Sequence, residues 1–134
     1  MIFGSNVVVG ENTLIAARGG RLVVGDNVQF GLGCVIVTLE SISIGPESLL
    51  AEYVVVRDQD HDYKQGPLAE ANFIRESITI GKGCWLGAKS TVLRGSVIGK
   101  NSVIGAHSLV RGDIKSFSLA CGTPARVIRA IRPL

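Results

Sequence analysis

A parallel β-helix is the fold this chain predicts, and three observations predict it. An aliphatic residue returns at every sixth position from Ile80 to Val110, through Leu86, Val92, Ile98 and Ile104. Neither a helix (period 3.6) nor a strand (period 2) generates that beat. A coil of short strands does, each hexad making one flat side and one corner, with three sides closing a triangular turn. Small residues stand four places after each aliphatic one, at Cys84, Ser90, Ser96, Ser102 and Ser108, where a second inward side chain must fit beside the large one. Corner chemistry is the third observation. Gly or Ala follows the aliphatic residue at Gly25, Gly31, Gly45, Ala51, Gly81, Gly87, Gly99 and Gly105, whereas Val37, Arg57, Leu93 and Arg111 close each group of three hexads. One corner in three is therefore built differently.

Taken in order, the ladder slips by three residues between Ile15 and Val24, so the first coil is less regular. It then runs through Val24, Phe30 and Ile36, slips by two, which predicts a bulged corner, and resumes at Ile44, Leu50 and Val56. Turn residues such as Gly25-Asp26-Asn27 and Gly99-Lys100-Asn101 suit tight corners. A long excursion, about 58–78, precedes the strict run from Ile80. After it, Thr123 reads as an N-cap and Pro124 as the first helical position. A short helix over about 124–132 is expected, with Val127, Ile128 and Ile131 packed on the solenoid and Arg126 and Arg129 on its flank.

The 134 residues make one domain, 1–134, of roughly six coils stacked about 4.8 Å apart. Seventeen glycines and only seven aromatics (one Trp, two Tyr, four Phe) suit a narrow interior. Neighbouring coils stabilise one another, so this length supports a core. No apolar run reaches transmembrane length and Met1-Ile2-Phe3-Gly4 opens no signal-peptide pattern, which argues against membrane insertion. The three cysteines lack metal-ligand spacing, and Cys34 and Cys84 fall on the small inward position. Buried reduced thiols and a cytoplasmic location follow as expectations. Of the net charge of +3, residues 111–134 hold five cations (Arg111, Lys115, Arg126, Arg129, Arg132) against Asp113, a balance of +4. So local an excess, without aromatic platforms for bases, points to a small anionic partner rather than nucleic acid.

The excursion carries Asp58-Gln59-Asp60-His61-Asp62-Tyr63, with one of only two histidines among three aspartates. His61 stands at the sixth position of its hexad, just past a corner, so a rigid coil fixes its backbone. His107 occupies a corner position, which favours an exposed structural role.

That segment resembles the catalytic loop of the hexapeptide-repeat acyltransferases, particularly sugar and xenobiotic O-acetyltransferases, commonly Asp-His-Asp/Ser-His-Asp-Tyr. Ile80-Gly81-Lys82-Gly83-Cys84-Trp85-Leu86-Gly87-Ala88 resembles their Ile-Gly-x-x-Val/Cys-Trp-Ile-Gly. Val103 to Val110 and the ending Cys121-Gly122-Thr123-Pro124-Ala125-Arg126-Val127-Ile128-Arg129 are similar to their closing signature. The likeness runs from about Val24 to Leu134. It departs from the pattern at Gln59, which replaces a first histidine, at Tyr53, which replaces an asparagine that helps hold sugar acceptors, and in lacking a helical N-terminal segment.

The resemblance implies a left-handed all-β helix, acetyl-CoA as co-substrate without a metal, and transfer to a sugar or other hydroxylated acceptor. His61 is then the base: a hydroxyl is a poor nucleophile until deprotonated, and histidine suits both that step and protonation of the departing thiolate. Asp58, Asp60 or Asp62 could orient the ring, and Asp58, Asp60 and Tyr63 are the expected acceptor contacts. The resemblance places Trp85 at the acceptor and thioester end of the cleft, Ala88 and Ala106 along the pantetheine arm, and Arg126 and Arg129, with Arg111 next, at the phosphates. A single prism has no deep pocket, so a homotrimer with clefts between subunits is implied. A xenobiotic (antibiotic) acetyltransferase and a catalytically silent solenoid are the alternative readings. A γ-class carbonic anhydrase would need three zinc histidines, and this chain has two.

Overall fold

A computed structural model describes residues 1–64, 66–68 and 72–132. The chain is a left-handed parallel β-helix whose coils stack into a three-faced prism. Face I holds Ile2–Phe3, Arg21–Val24, Ser41–Ile44, Ile78–Ile80, Val97–Ile98 and Asp113–Ile114. Face II holds Val8–Val9, Gln29–Phe30, Leu49–Leu50, Trp85–Leu86, Val103–Ile104 and Ser118–Gly122, and face III holds Leu14–Ala17, Val35–Thr38, Val55–Arg57, Thr91–Val92 and Leu109–Val110. Each strand pairs in parallel with its equivalent one coil away, as Leu86 with Leu50 and Ile104.

The hexad residues form the core. Ile36, Leu50, Val56, Leu86, Val92, Ile104 and Val110 are wholly buried. The small inward positions are buried with them, and several of their hydroxyls donate to backbone carbonyls: Ser48 to Gly81 (3.0 Å), Ser96 to Leu93 (2.7 Å) and Ser102 to Lys115 (2.9 Å). Serine therefore fits both the space and the polar backbone beside it.

Two of the three corners are tight. Residues in the left-handed conformation stack along the corner between faces I and II, among them Asn27, Glu47, Gly83 and Asn101, and along the next corner at Gly33, Tyr53, Lys89 and His107. His107 is thus a turn residue, exposed, its amide donating to the Ala88 carbonyl at 2.9 Å. The corner between faces III and I takes every irregularity that the ladder shows. The slip of two is not a bulge but a lengthened turn at Leu39-Glu40, and the earlier slip is the turn Arg18-Gly19-Gly20.

The C-terminal helix expected over 124–132 is not formed. Ala125–Ala130 is a strand that turns back at Thr123-Pro124, across a cis peptide, and pairs antiparallel with Ser118–Gly122. Open backbone groups at the end of face II are satisfied by this pairing, and β-branched Val127 and Ile128 suit a strand. Those two side chains stay exposed rather than packing on the solenoid. No helix among the described residues is long and apolar enough to cross a membrane.

Candidate functional site

The excursion leaves the loose corner after Arg57 and is ordered at its root. Gln59–His61 pairs antiparallel with Phe73–Arg75, so that His61 faces Phe73, Asp60 faces Ile74 and Gln59 faces Arg75. Residues 65 and 69–71 of the expected acceptor loop lie outside the described residues. Side chains alternate along a strand, and this alternation sends Gln59 and His61 to one side of the hairpin and Asp60 to the other.

On the His61 side lies a cavity of about 330 Å³, lined by Arg18, Val37, Leu39, Arg57, Gln59, His61 and Phe73. The imidazole stacks on Phe73, with ring centroids 4.7 Å apart and planes tilted by 36°. No side-chain hydrogen bond reaches the imidazole among the described residues, so an aromatic ring, not a carboxylate, positions it within one subunit.

The aspartates expected to orient it are engaged elsewhere. Asp58 is fully buried. Its Oδ2 accepts from the Thr38 hydroxyl (2.6 Å) and the Glu40 amide (2.9 Å), and its Oδ1 from the Leu39 amide (2.8 Å). It fastens the lengthened corner of the preceding coil and does not face an acceptor, which corrects its expected place among the acceptor contacts. Asp60 pairs with Arg94 Nε at 2.7 Å, and Arg94 also bonds Glu76. Asp62 caps the Lys64 amide at 3.3 Å.

The second side of the hairpin opens on a cleft of about 620 Å³, where Asp60 and Tyr63 meet Glu76, Arg94 and Arg111. Tyr63 is 74% exposed. Arg111 also lines a smaller cavity of about 240 Å³ with Leu109, Thr123, Pro124 and Arg126. Arg111 and Arg126 are thus brought together by the C-terminal strand, whereas Arg129 lines none of these cavities. Trp85 lies on face II between Leu49 and Val103, half exposed, whereas His61 stands on the hairpin outside the three faces. Ala88 and Ala106 follow one another in adjacent coils at the corner beyond it, and both retain some exposure. Among the described residues no group of three or more His, Cys, Asp or Glu side chains is placed to hold a metal ion.

Arg18, Arg57 and Phe73 around His61, and Arg94 as the clamp of the hairpin, are not evident in the sequence as site residues. The one available signal was Arg57 breaking the small-residue rule at its corner.

The structure thus presents a hexapeptide solenoid whose one long excursion carries a histidine at a cavity. Residues 77–112 match the family described as bacterial transferase hexapeptide (six repeats), and residues 21–56 match the hexapeptide repeat of succinyl-transferase. The chain is 34% identical over 95% of its length to "Putative lipopolysaccharide biosynthesis O-acetyl transferase WbbJ" of Escherichia coli (strain K12), covering 70% of that protein. It is 38% identical over 94% of its length to "Probable acetyltransferase Rv3034c" of Mycobacterium tuberculosis, and spans only 43% of that relative. A solved galactoside acetyltransferase in complex with coenzyme A superimposes with a TM-score of 0.68 at 30% identity, over 93% of this chain and 65% of that one. The chain belongs to the hexapeptide-repeat acyltransferase family.

Proposed function

We propose that this chain is an acetyl-CoA-dependent O-acetyltransferase acting on a hydroxyl of a sugar or saccharide-like acceptor, with His61 as general base. The observation that supports this most is His61 itself, held against Phe73 by a short hairpin at the mouth of an open cavity. In the reaction, His61 takes the acceptor hydroxyl proton as the oxygen bonds to the thioester carbonyl carbon. The carbon–sulfur bond then breaks, and the imidazolium returns the proton to the departing thiolate. An acetyl ester and free coenzyme A thiol result, with His61 restored. A backbone N–H from the neighbouring subunit's coil steadies the oxyanion.

The working unit is a homotrimer. On one subunit His61 stands on the hairpin at the corner between faces III and I and Trp85 on face II, so a cleft containing both needs a second copy. Face II supports this with an outward ladder, Leu49–Trp85–Val103–Leu119, in which Leu49 and Trp85 are exposed. Contiguous exposed apolar side chains of this kind mark association surfaces.

The test is release of free thiol from acetyl-CoA across a panel of sugars and hydroxylated antibiotics. His61→Ala is expected to lower kcat by about 10²–10⁴-fold while leaving acetyl-CoA affinity nearly unchanged. Wild-type turnover in that variant removes His61 from the mechanism. Light scattering of the active species is expected at about three times the 14.1 kDa chain mass, and an active monomer defeats the shared cleft.

A further inference from the structure

We propose that the acceptor is an anionic saccharide, with a carboxylate or phosphate on the same sugar unit as the reacting hydroxyl. This rests on the acyl-transfer reading above. The cavity that His61 faces contains two arginines, Arg18 and Arg57, and no acid lines it among the described residues. Neither arginine is in an ion pair among the described residues, whereas Arg94, along the same edge of the prism, is paired with both Asp60 and Glu76. Asp58, the acid beside Arg57 in the chain, is consumed by Thr38, Leu39 and Glu40.

The fold sets the two guanidinium groups around a common floor. Arg57 pairs in the ladder with Val37, and Val37 with Ala16; Arg18 follows two residues on, its amide donating to the Thr38 carbonyl at 2.9 Å. Arg18 and Arg57 therefore leave coils two steps apart, about 10 Å of backbone separation, with Val37 and Leu39 between them. Two long side chains across that gap can converge on one anion, and guanidinium forks suit carboxylate and phosphate oxygens.

Gln59 adds an independent sign of a polar ligand. It lines the same cavity and is only 4% exposed, and its Oε1 has no hydrogen-bond partner. A buried carbonyl oxygen left unpaired is unfavourable, and a ligand hydroxyl donating to this side chain would relieve it. At about 330 Å³ the cavity is near the small end of ligand sites, roughly 300–1,000 Å³. That size fits one sugar unit, with the anion toward the arginines and the reacting hydroxyl toward His61.

The experiment compares kcat/KM for thiol release from acetyl-CoA using glucuronic and galacturonic acids, glucose 6-phosphate and galactose 6-phosphate, the parent hexoses, and glucosamine. Binding of the same sugars to the full chain is measured by NMR in parallel. An acid or a phosphate is expected to exceed its parent hexose by about 10–100-fold, with glucosamine poorest. The two anion arms decide between carboxylate and phosphate. R18Q and R57Q are each expected to shrink that margin, and R57K, which keeps the charge but loses the fork, to retain only part of it. Parent hexoses used as well as the anions, or a margin unchanged in both Gln variants, overturns the anionic acceptor and leaves acyl transfer standing. Arginine-dependent anion binding without thiol release upholds the anion site and overturns acyl transfer. Absence of both overturns both.

Discussion

Replacing Asp58 with asparagine exchanges one carboxylate oxygen for an amide NH₂ and tests whether this residue is a strut or a ligand contact. The carboxylate is fully buried and receives three donors, from Thr38 Oγ1, Leu39 N and Glu40 N, at 2.6, 2.8 and 2.9 Å. The Thr38 hydroxyl can rotate and accept instead, but the two backbone amides cannot. Whichever way the introduced amide turns, its NH₂ faces at least one backbone N–H. One charge-assisted bond is lost, about 1.5–3 kcal/mol, and a buried donor is left unpaired, about 1–3 kcal/mol. Partial relaxation of the corner toward water trims the sum, so a net loss of about 2–4 kcal/mol is expected. For a chain of this size that lowers Tm by about 8–16 °C, at roughly 4 °C per kcal/mol. Urea and thermal unfolding followed by far-UV circular dichroism measure it, at one fixed protein concentration because assembly shifts the midpoint. D58N with a wild-type midpoint and an altered acceptor KM would refute this reasoning and return Asp58 to the acceptor site.

Burial pushes the Cys34 and Cys84 thiols above the ordinary value of 9.0. Because the folded-state values are raised, their contribution to stability is intact below about pH 9 and is lost as the pH climbs above it; C34A/C84A is expected to flatten that alkaline decline, read as the urea midpoint from about pH 8 to 11. Arg94→Ala removes partly exposed ion pairs to Asp60 and Glu76 and should cost the whole fold under about 1 kcal/mol. It should nonetheless speed amide exchange in Gln59–His61 and Phe73–Arg75, and unchanged exchange there argues against a clamp. For the coenzyme, R111A and R126A are each expected to weaken acetyl-CoA binding by about 1–3 kcal/mol, more than R129A and more than for a pantetheine thioester lacking the nucleotide. Calorimetry showing equal losses for all three arginines breaks the link to the cavity that Arg111 and Arg126 share.

The solenoid was legible because its rule is local and repeated: each inward Ile, Leu or Val needs only its hexad position to be assigned. His61 was legible for the opposite reason, as a titratable group in the one stretch that abandons the rule. Where reading the sequence failed, the deciding partner came from another coil. Thr123-Pro124 satisfies the local chemistry of a helix start, yet the free edge of Ser118–Gly122 captures the following residues as a strand. Asp58 and Asp60 are near neighbours in the sequence, but one points into Thr38 and the other out to Arg94. Arg18 lies far from His61 along the chain, and only coil stacking brings both to one cavity.

That the site gathers at one corner follows from how closely the coils approach at the other two. A Cβ placed on Gly45 would come within 2.5 Å of the Lys82 amide nitrogen, and one on Gly87 within 2.6 Å of that of Ala106. Backbone meets backbone there, so neither corner can admit an extra residue without parting the coils. The corner between faces III and I is uneven: a Cβ on Gly20 would come within 2.7 Å of the Leu39 carbonyl carbon, whereas one on Gly19 or Gly112 would meet nothing within 4 Å. Slack at this edge permits the turns at 18–20 and 39–40 and the excursion carrying His61, and it leaves room for Val37, Arg57, Leu93 and Arg111 in place of small residues. Closing an excursion of this length costs little entropy, whereas a wedge at a glycine corner would cost every ladder bond beside it. Rigid corners hold the coils in register, and the loose one is where a histidine, a hairpin and arginines could be added without disturbing them.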